Sequence, residues 1–134
     1  MKLTLDVENT VTKRDGKMHL DPFEPENMLV MVGVLTDQGQ EDLITFDHSE
    51  REHTHHGHNL LQKWLDQATI LICHNAAYDL LWLWESGFKY DGPVFDTMLA
   101  EYVLQRGIKE PLSLEACAER YLLETKKQDT LKEY

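Results

Sequence analysis

The segment KLTLDVENT, Lys2 to Thr10, limits the fold more than any other stretch of the chain. Its residues alternate at the period of a β-strand, so Leu3, Leu5 and Val7 line one face and Thr4, Asp6 and Glu8 the other. Such a strand buries one face while carrying two like charges on the other. Carboxylates set that close repel, and taking them out of water is costly unless a proton or a cation compensates. Two readings are open: a strand whose second face is wet, or a pair of acids that holds a divalent metal.

The remaining pattern is that of a mixed α/β domain. Asp15-Gly16 lies between short alternating flanks in TVTKRDGKMHL and reads as a hairpin turn, and Pro22 and Pro25 interrupt an irregular connection after it. Met28 to Asp37 and Glu41 to His48 are β-rich runs that form an antiparallel meander with the first strand. HSEREHTHHGHN gathers His48, His53, His55, His56 and His58 without the spacing of a closed ligand set, so it reads as a solvated loop rather than a zinc site. Asn59 is then placed to cap a helix with Leu60, Leu61, Trp64 and Leu65 at helical spacing, and Thr69 to Cys73 reads as a short buried parallel strand.

HNAAYDLLWLWESGF follows, with Asn75 placed as a cap, Asp79 about one turn into a helix and Gly87 as its stop. That helix is apolar on nearly every face apart from Asp79 and Glu85, so a carboxylate in its first turn must face a cleft or be paired. Two more helices follow. The first is capped by Asp96, with Met98, Leu99, Tyr102 and Val103 on one stripe. The second is capped by Ser113, with Leu114, Cys117, Ala118, Tyr121 and Leu122 turned inward and Leu112 stapling Cys117. The polar tail ETKKQDTLKEY can begin a further helix.

At 134 residues and 42% hydrophobic content, the chain reads as one domain, 1–134. Without a membrane-length apolar run or a signal-peptide pattern, it is expected in the cytoplasm, with no membrane partner. Cys73 and Cys117 stand far apart in apolar surroundings and are expected as free thiols. A formal charge of −11 implies weak intrinsic affinity for nucleic acid, unless metal ions neutralise the site and another domain or chain holds the substrate.

Three acids fall where a strand and a following helix bring them to one end of a sheet: Asp6, Glu8 and Asp79. Hard divalent cations bind carboxylate oxygens, and a metal pair about 4 Å apart clamps the attacking and leaving oxygens of a phosphodiester. At this point the chain resembles the 3′-to-5′ proofreading exonuclease domain of family A DNA polymerases, the bacteriophage type in particular, within the DEDD, ribonuclease H-like superfamily. LDVENT resembles the first exonuclease motif, Asp-x-Glu. HNAAYDL resembles the second, Asn-x-x-Tyr-Asp, and FDTMLAEYVL with LSLEACAERYL resembles the helices before the third.

The resemblance implies a ribonuclease H-like mixed sheet, with three antiparallel N-terminal strands followed by alternating helices and parallel strands. It implies two Mg²⁺ or Mn²⁺ ions, with Asp6 bridging both, Glu8 on the metal that activates water and Asp79 on the second. Asn75 would lie near the substrate, the 3′ end of single-stranded DNA, or serve purely as a helix cap; Tyr78 and Asp96 would be structural. A polymerase domain in cis or in trans is the implied partner, and the host cytoplasm the implied compartment if the chain is phage-encoded.

One departure stands out. The family's third motif, Tyr-x-x-x-Asp, is absent; the late acids Asp129 and Glu133 do not stand in that frame. The domain is therefore expected to be C-terminally incomplete, with very low activity by itself. A catalytically silent module packed against a polymerase or DNA, and an RNA-directed exonuclease, are the alternatives.

Overall fold

The computed structural model describes residues 1–46 and 51–123. Five strands form one mixed sheet in the order β5-β4-β1-β6-β7. These are β1 (Lys2–Asn9), β4 (Leu29–Thr36), β5 (Glu41–Thr45), β6 (Ile70–Cys73) and β7 (Val94–Asp96). β1, β4 and β5 make the expected antiparallel meander, and β6 and β7 add in parallel beside β1. β2 (Thr12–Arg14) and β3 (Lys17–His19) form a separate two-stranded ribbon. Its turn places both Asp15 (φ 53°) and Gly16 (φ 76°) in the left-handed region, as a tight hairpin turn requires.

The alternation in β1 holds: Leu3, Leu5 and Val7 are buried, and Asp6 and Glu8 are exposed on the other face. The buried row joins Val32 and Val34 of β4 and Ile44 of β5, covered by Leu61 and Leu65 of α1 (Arg51–Gln67) and by Trp82 and Leu83 of α2 (Ala76–Glu85). α1 comes close to the sheet at Gly57, where a Cβ would meet the Thr45 carbonyl oxygen at 3.1 Å. α2 ends as expected: Gly87, at φ 90°, donates to Trp84 O at 3.1 Å and Phe88 to Leu83 O at 2.9 Å, which satisfies the last carbonyls.

Three expectations are overturned. α1 begins at Arg51, so the histidine-rich segment is helical from there and Asn59 sits inside the helix rather than at its cap. Polar residues carry no apolar period, and the extra turns were invisible for that reason. His58 is half-buried and stacks on Phe88, with ring centroids 4.2 Å apart. His48 and the side chains of His53, His55 and His56 lie outside the described residues, as does the tail from residue 124 with Asp129 and Glu133.

On α3 (Thr97–Leu104), Leu99, Tyr102 and Val103 of the expected stripe face solvent, each more than half exposed. The second correction concerns α4 (Leu114–Arg120), where Leu114, Tyr121 and Leu122, expected to turn inward, are exposed. Helical spacing identifies an apolar stripe but not what covers it. Ser113 does cap α4, accepting from Ala116 N at 3.1 Å. The third correction, at Asn75, belongs to the site.

Candidate active site

β1 pairs with β6 only from Lys2↔Ile70 to Thr4↔Ile72, so Leu5–Asn9 overhangs the end of β6. The first turn of α2 lies beside that overhang and brings Asp79 next to Val7 and Asp6. Asp79 is 2% exposed, and its Oδ2 is buried without a hydrogen-bond partner. Burial, then the nearby charge of Asp6, raises its pKa to about 7; hydrogen bonds from the Cys73 thiol and the Val7 backbone N–H pull it back only in part. Burial, with the charge of Asp79 next, pushes the Cys73 thiol far up in turn, so Cys73 is a neutral donor. Both cysteines are free, as expected.

Asp6 and Glu8 stand on the opposite, open face of the sheet. Asp6 lies across from Gly33, and Gly33 from Leu43, so no side chain rises beside the Asp6 carboxylate on β4. A shallow cavity of about 590 Å³ results, lined by Thr4, Asp6, Gly33, Leu35 and Leu43 among others.

The structure thus couples Asp79 to Asp6 but, among the described residues, gathers no group of three His, Cys, Asp or Glu side chains close enough to hold a metal. The donor types still suit a hard cation. A buried carboxylate oxygen with no partner, beside a second carboxylate that raises its pKa, is the charge imbalance a divalent ion would relieve. The residues fit a metal in chemistry: Asp79 and Asp6 are close enough for their charges to couple across β1, and Glu8 shares the face of Asp6.

Asn75 occupies the N-cap position of α2, yet its side chain makes no capping hydrogen bond and its backbone is left-handed, at φ 67°. The cap comes from Asp96, whose Oδ1 accepts from Asn75 N at 3.0 Å and whose Oδ2 accepts from Ala76 N at 3.1 Å. The same Oδ1 caps α3 through Met98 N at 2.9 Å and Leu99 N at 3.4 Å. Asp96 is the cap its sequence position suggests, for two helices rather than one. The Asn75 side chain is left exposed at the mouth of the site.

Sequence reasoning missed a polar network beneath the acids. The Tyr78 hydroxyl donates to Asn9 Oδ1 at 2.5 Å, and Asn9 Nδ2 and Trp82 Nε1 both donate to Leu20 O at 3.2 Å. Asn9 follows Glu8 and Tyr78 precedes Asp79, so this network ties the backbones that carry two of the acids. His74 was missed too: it bridges Thr97 Oγ1 at 2.9 Å and Leu112 O at 2.7 Å. A polar residue directly after a buried strand was the available signal for His74; nothing local marked Leu20.

Comparison with known proteins places this geometry. No curated protein matches the chain. Among solved structures, one described as the apo form of a nuclease superposes with a TM-score of 0.67 at 22% identity, over 96% of this chain and 56% of that one. Brucella melitensis NrnC bound to pGG gives 0.66 at 23% identity, over 95% and 55%. The family B DNA polymerase of the hyperthermophilic archaeon Pyrobaculum calidifontis gives 0.61 at 21% identity, over 96% and 19%.

The chain spans a little over half the length of these nucleases, and at such identities the likeness shows the fold, a ribonuclease H-like mixed sheet. No described helix is long and apolar enough to cross a membrane. The sequence of residues 18–134 matches the family described as 3′-5′ exonuclease; that stretch contains Asn75 and Asp79 and begins after Asp6 and Glu8. A match over most of the chain, on a sheet that brings Asp79 beside Asp6, establishes that this protein belongs to the 3′-5′ exonuclease family.

Proposed function

We propose that the chain is a metal-dependent 3′-to-5′ exonuclease domain that removes nucleotides from the 3′ end of single-stranded DNA as nucleoside 5′-monophosphates, in the proofreading setting of a phage-type DNA polymerase. The observation that carries this reading is the buried, unpartnered Oδ2 of Asp79 beside Asp6. Mg²⁺ or Mn²⁺ held by Asp6, Glu8 and Asp79 would supply Lewis-acid stabilisation of the phosphoryl oxygens and activation of water. Asp6 and Asp79 supply the charge that draws the cations in. Cys73 and Val7, donating to Asp79, fix the orientation of its carboxylate. Asn75, held left-handed by Asp96, presents its amide to the substrate's sugar or phosphate.

The ligand set is completed, in this reading, by a helix with the Tyr-x-x-x-Asp motif supplied from outside this sequence, in cis or in trans. Two observations support it. No three-acid group stands among the described residues, and Leu35 and Leu43 on the open sheet face, with Leu99, Tyr102 and Val103 of α3, leave apolar surface in need of a cover. The polymerase setting rests on the likeness to the Pyrobaculum enzyme.

The test is shortening of a 5′-labelled single-stranded DNA in Mg²⁺ or Mn²⁺, with Asp6→Ala as the control for contaminating nuclease. Metal-dependent loss of 3′ nucleotides, faint for this chain alone and strong once a Tyr-x-x-x-Asp segment is supplied, is expected to vanish in Asp6→Ala and Asp79→Ala. Mn²⁺ binding without shortening, even when a Tyr-x-x-x-Asp segment is supplied, would establish the catalytically silent module instead. An RNA preference is a second reading, favoured by the likeness to NrnC bound to pGG; faster cleavage of an RNA than of the matched DNA would decide for it.

A further inference from the structure

The β2–β3 ribbon carries a net positive charge in an acidic chain. Its eight residues, Thr12 to His19, hold Lys13, Arg14 and Lys17 against one acid, Asp15, in a protein of net charge −11. Its two faces differ. Pairing sets Thr12 opposite His19, Lys13 opposite Met18 and Arg14 opposite Lys17, so Thr12, Arg14, Lys17 and His19 share one face and Lys13 and Met18 the other.

The first face is tied down to the following loop. Thr12 Oγ1 donates to Asn27 Oδ1 at 2.6 Å, Asn27 Nδ2 donates to His19 O at 2.9 Å, and Arg14 pairs with buried Glu24 at 2.8 Å. The second face is bare. Met18 is 56% exposed there, flanked by Val11 at 46% and Leu20 at 48%, and Phe23 at the edge of the loop is 62% exposed. A two-stranded ribbon is marginal in water, and this one holds three apolar side chains and a lysine in solvent by anchoring its other face.

The ribbon is rooted at the acids. Leu20 O, directly after β3, accepts from Asn9 and Trp82, and Asn9 in turn accepts from Tyr78. Asn9 adjoins Glu8 and Tyr78 adjoins Asp79.

We propose that this ribbon is the surface that grips a single-stranded polynucleotide as it enters the site: Lys13 on its bare face and the exposed Lys17 beside its turn contact phosphates, and Val11, Met18, Leu20 and Phe23 contact unstacked bases. Single strands are held by cations that follow the backbone together with apolar or aromatic side chains that meet the bases, and the ribbon supplies both beside the acids. Its charge is complementary to the ligand where the rest of the chain repels it. This inference rests on the proposed exonuclease reading for the identity of the strand, though its binding test is independent of hydrolysis.

The experiment measures fluorescence anisotropy of a labelled single-stranded DNA of about 12 nucleotides against the full chain, across a salt series. The Lys13→Glu/Lys17→Glu variant is compared with Lys63→Glu/Lys89→Glu, an equal charge change on exposed residues of α1 and the loop after α2. The ribbon variant is expected to weaken binding about tenfold and to lower the salt slope by about 1.4, since each single-strand phosphate contact contributes about 0.7. The control pair should shift binding by less than about threefold and leave the slope in place. Phe23→Ser is expected to weaken binding with an unchanged slope, because it removes a base contact and no charge.

Equal weakening by both charge pairs would overturn the proposal, since net charge alone would then account for the effect. So would absence of binding by the parent chain. The two readings fail separately: a ribbon effect on binding with no metal-dependent shortening removes the exonuclease reading and keeps the ribbon, and shortening with an unaltered ribbon variant does the reverse. Superimposable thermal transitions of parent and variants confirm that the folds compared are the same.

Discussion

Asp96 holds Asn75 in a left-handed conformation from 21 residues away, through a 3.0 Å bond to its backbone N–H, while capping its own helix with the same oxygen. One carboxylate thus sets both the start of α3 and the start of the helix that carries Asp79. The loss of one cap costs about 0.5–2 kcal/mol, so Asp96→Ala, which removes two, should cost about 1–4 kcal/mol in urea unfolding. Asp96→Asn should cost less, because Oδ1 remains an acceptor and only the Ala76 bond is lost.

The same residue has an acid signature. Burial pushes its pKa up, but the N–H donors of Ala76, Asn75, Leu99 and Met98 outweigh this and hold it below the usual aspartate value. A folded pKa below the unfolded one contributes stability that is present above the unfolded value and lost as pH falls through the folded one. Acid unfolding of the parent should therefore retain a steep phase below about pH 4 that Asp96→Asn lacks. A variant with the parent's acid profile would show that the four donors are not acting on this carboxylate.

Asp79 behaves in the opposite sense. Its pKa is raised from 3.8 to about 7, so the native state holds a proton that the unfolded chain has released. Stability of the metal-free protein should be greatest below about pH 4, fall as pH rises to about 7 and level off beyond, by at most about 4 kcal/mol. Asp79→Asn should remove most of that slope in chelator and raise stability at pH 8. Saturating Mn²⁺ should stabilise the parent at that pH and leave Asp79→Asn little changed. A flat profile in the parent would mean that Asp79 is hydrated rather than buried beside Asp6.

How much of this was legible in the sequence follows from the range of each interaction. The alternation in β1 and the placement of Asp79 in the first turn of an apolar helix are local patterns, and both stand. The Asp96 cap on α3 was readable for the same reason, whereas its hold on Asn75 joins two segments that no local rule connects. Asn59 was mistaken for a helix start because the turns before it are polar, which leaves amphipathic spacing nothing to register. The inward direction expected of Leu114, Tyr121 and Leu122 was an inference about a partner, and all three face solvent. The Leu20 carbonyl, which accepts from Asn9 and Trp82, carries no side-chain signal at all.

Tyr78 tests that hub. Its hydroxyl donates its single proton to Asn9 Oδ1, so Tyr78→Phe leaves that acceptor short of a donor with little change in shape, while Leu20 O keeps Asn9 and Trp82. The cost should be about 1–3 kcal/mol by urea unfolding, the penalty of a buried group left unpaired. Because Asn9 also holds Leu20, single-strand binding should weaken in Tyr78→Phe by a modest factor with the salt slope retained. Unchanged stability would mean that water replaces the hydroxyl and the network does not brace the ribbon.

His74 makes the last prediction, and hydrogen-bond direction decides it. Leu112 O can only accept, so Nε2 carries a proton and donates across 2.7 Å. In the neutral ring Nδ1 then accepts from the Thr97 hydroxyl at 2.9 Å, and that hydroxyl's single proton is also sought by Cys73 O at 3.3 Å. His74 therefore joins the end of β6, the start of α3 and the loop before α4 through one side chain, and α4 contributes no fully buried residue of its own. His74→Ala should cost about 1–3 kcal/mol, concentrated at α4. Amide exchange should speed up over Ser113–Arg120 far more than in β1, and Cys117, whose thiol lies 3.7 Å from Leu112 O, should react faster with a thiol reagent while buried Cys73 does not. His74→Gln, which can keep a donor toward Leu112, should recover part of the protection. Uniform loss of protection across β1 and α4 would instead make His74 a part of the global core rather than the tether of α4.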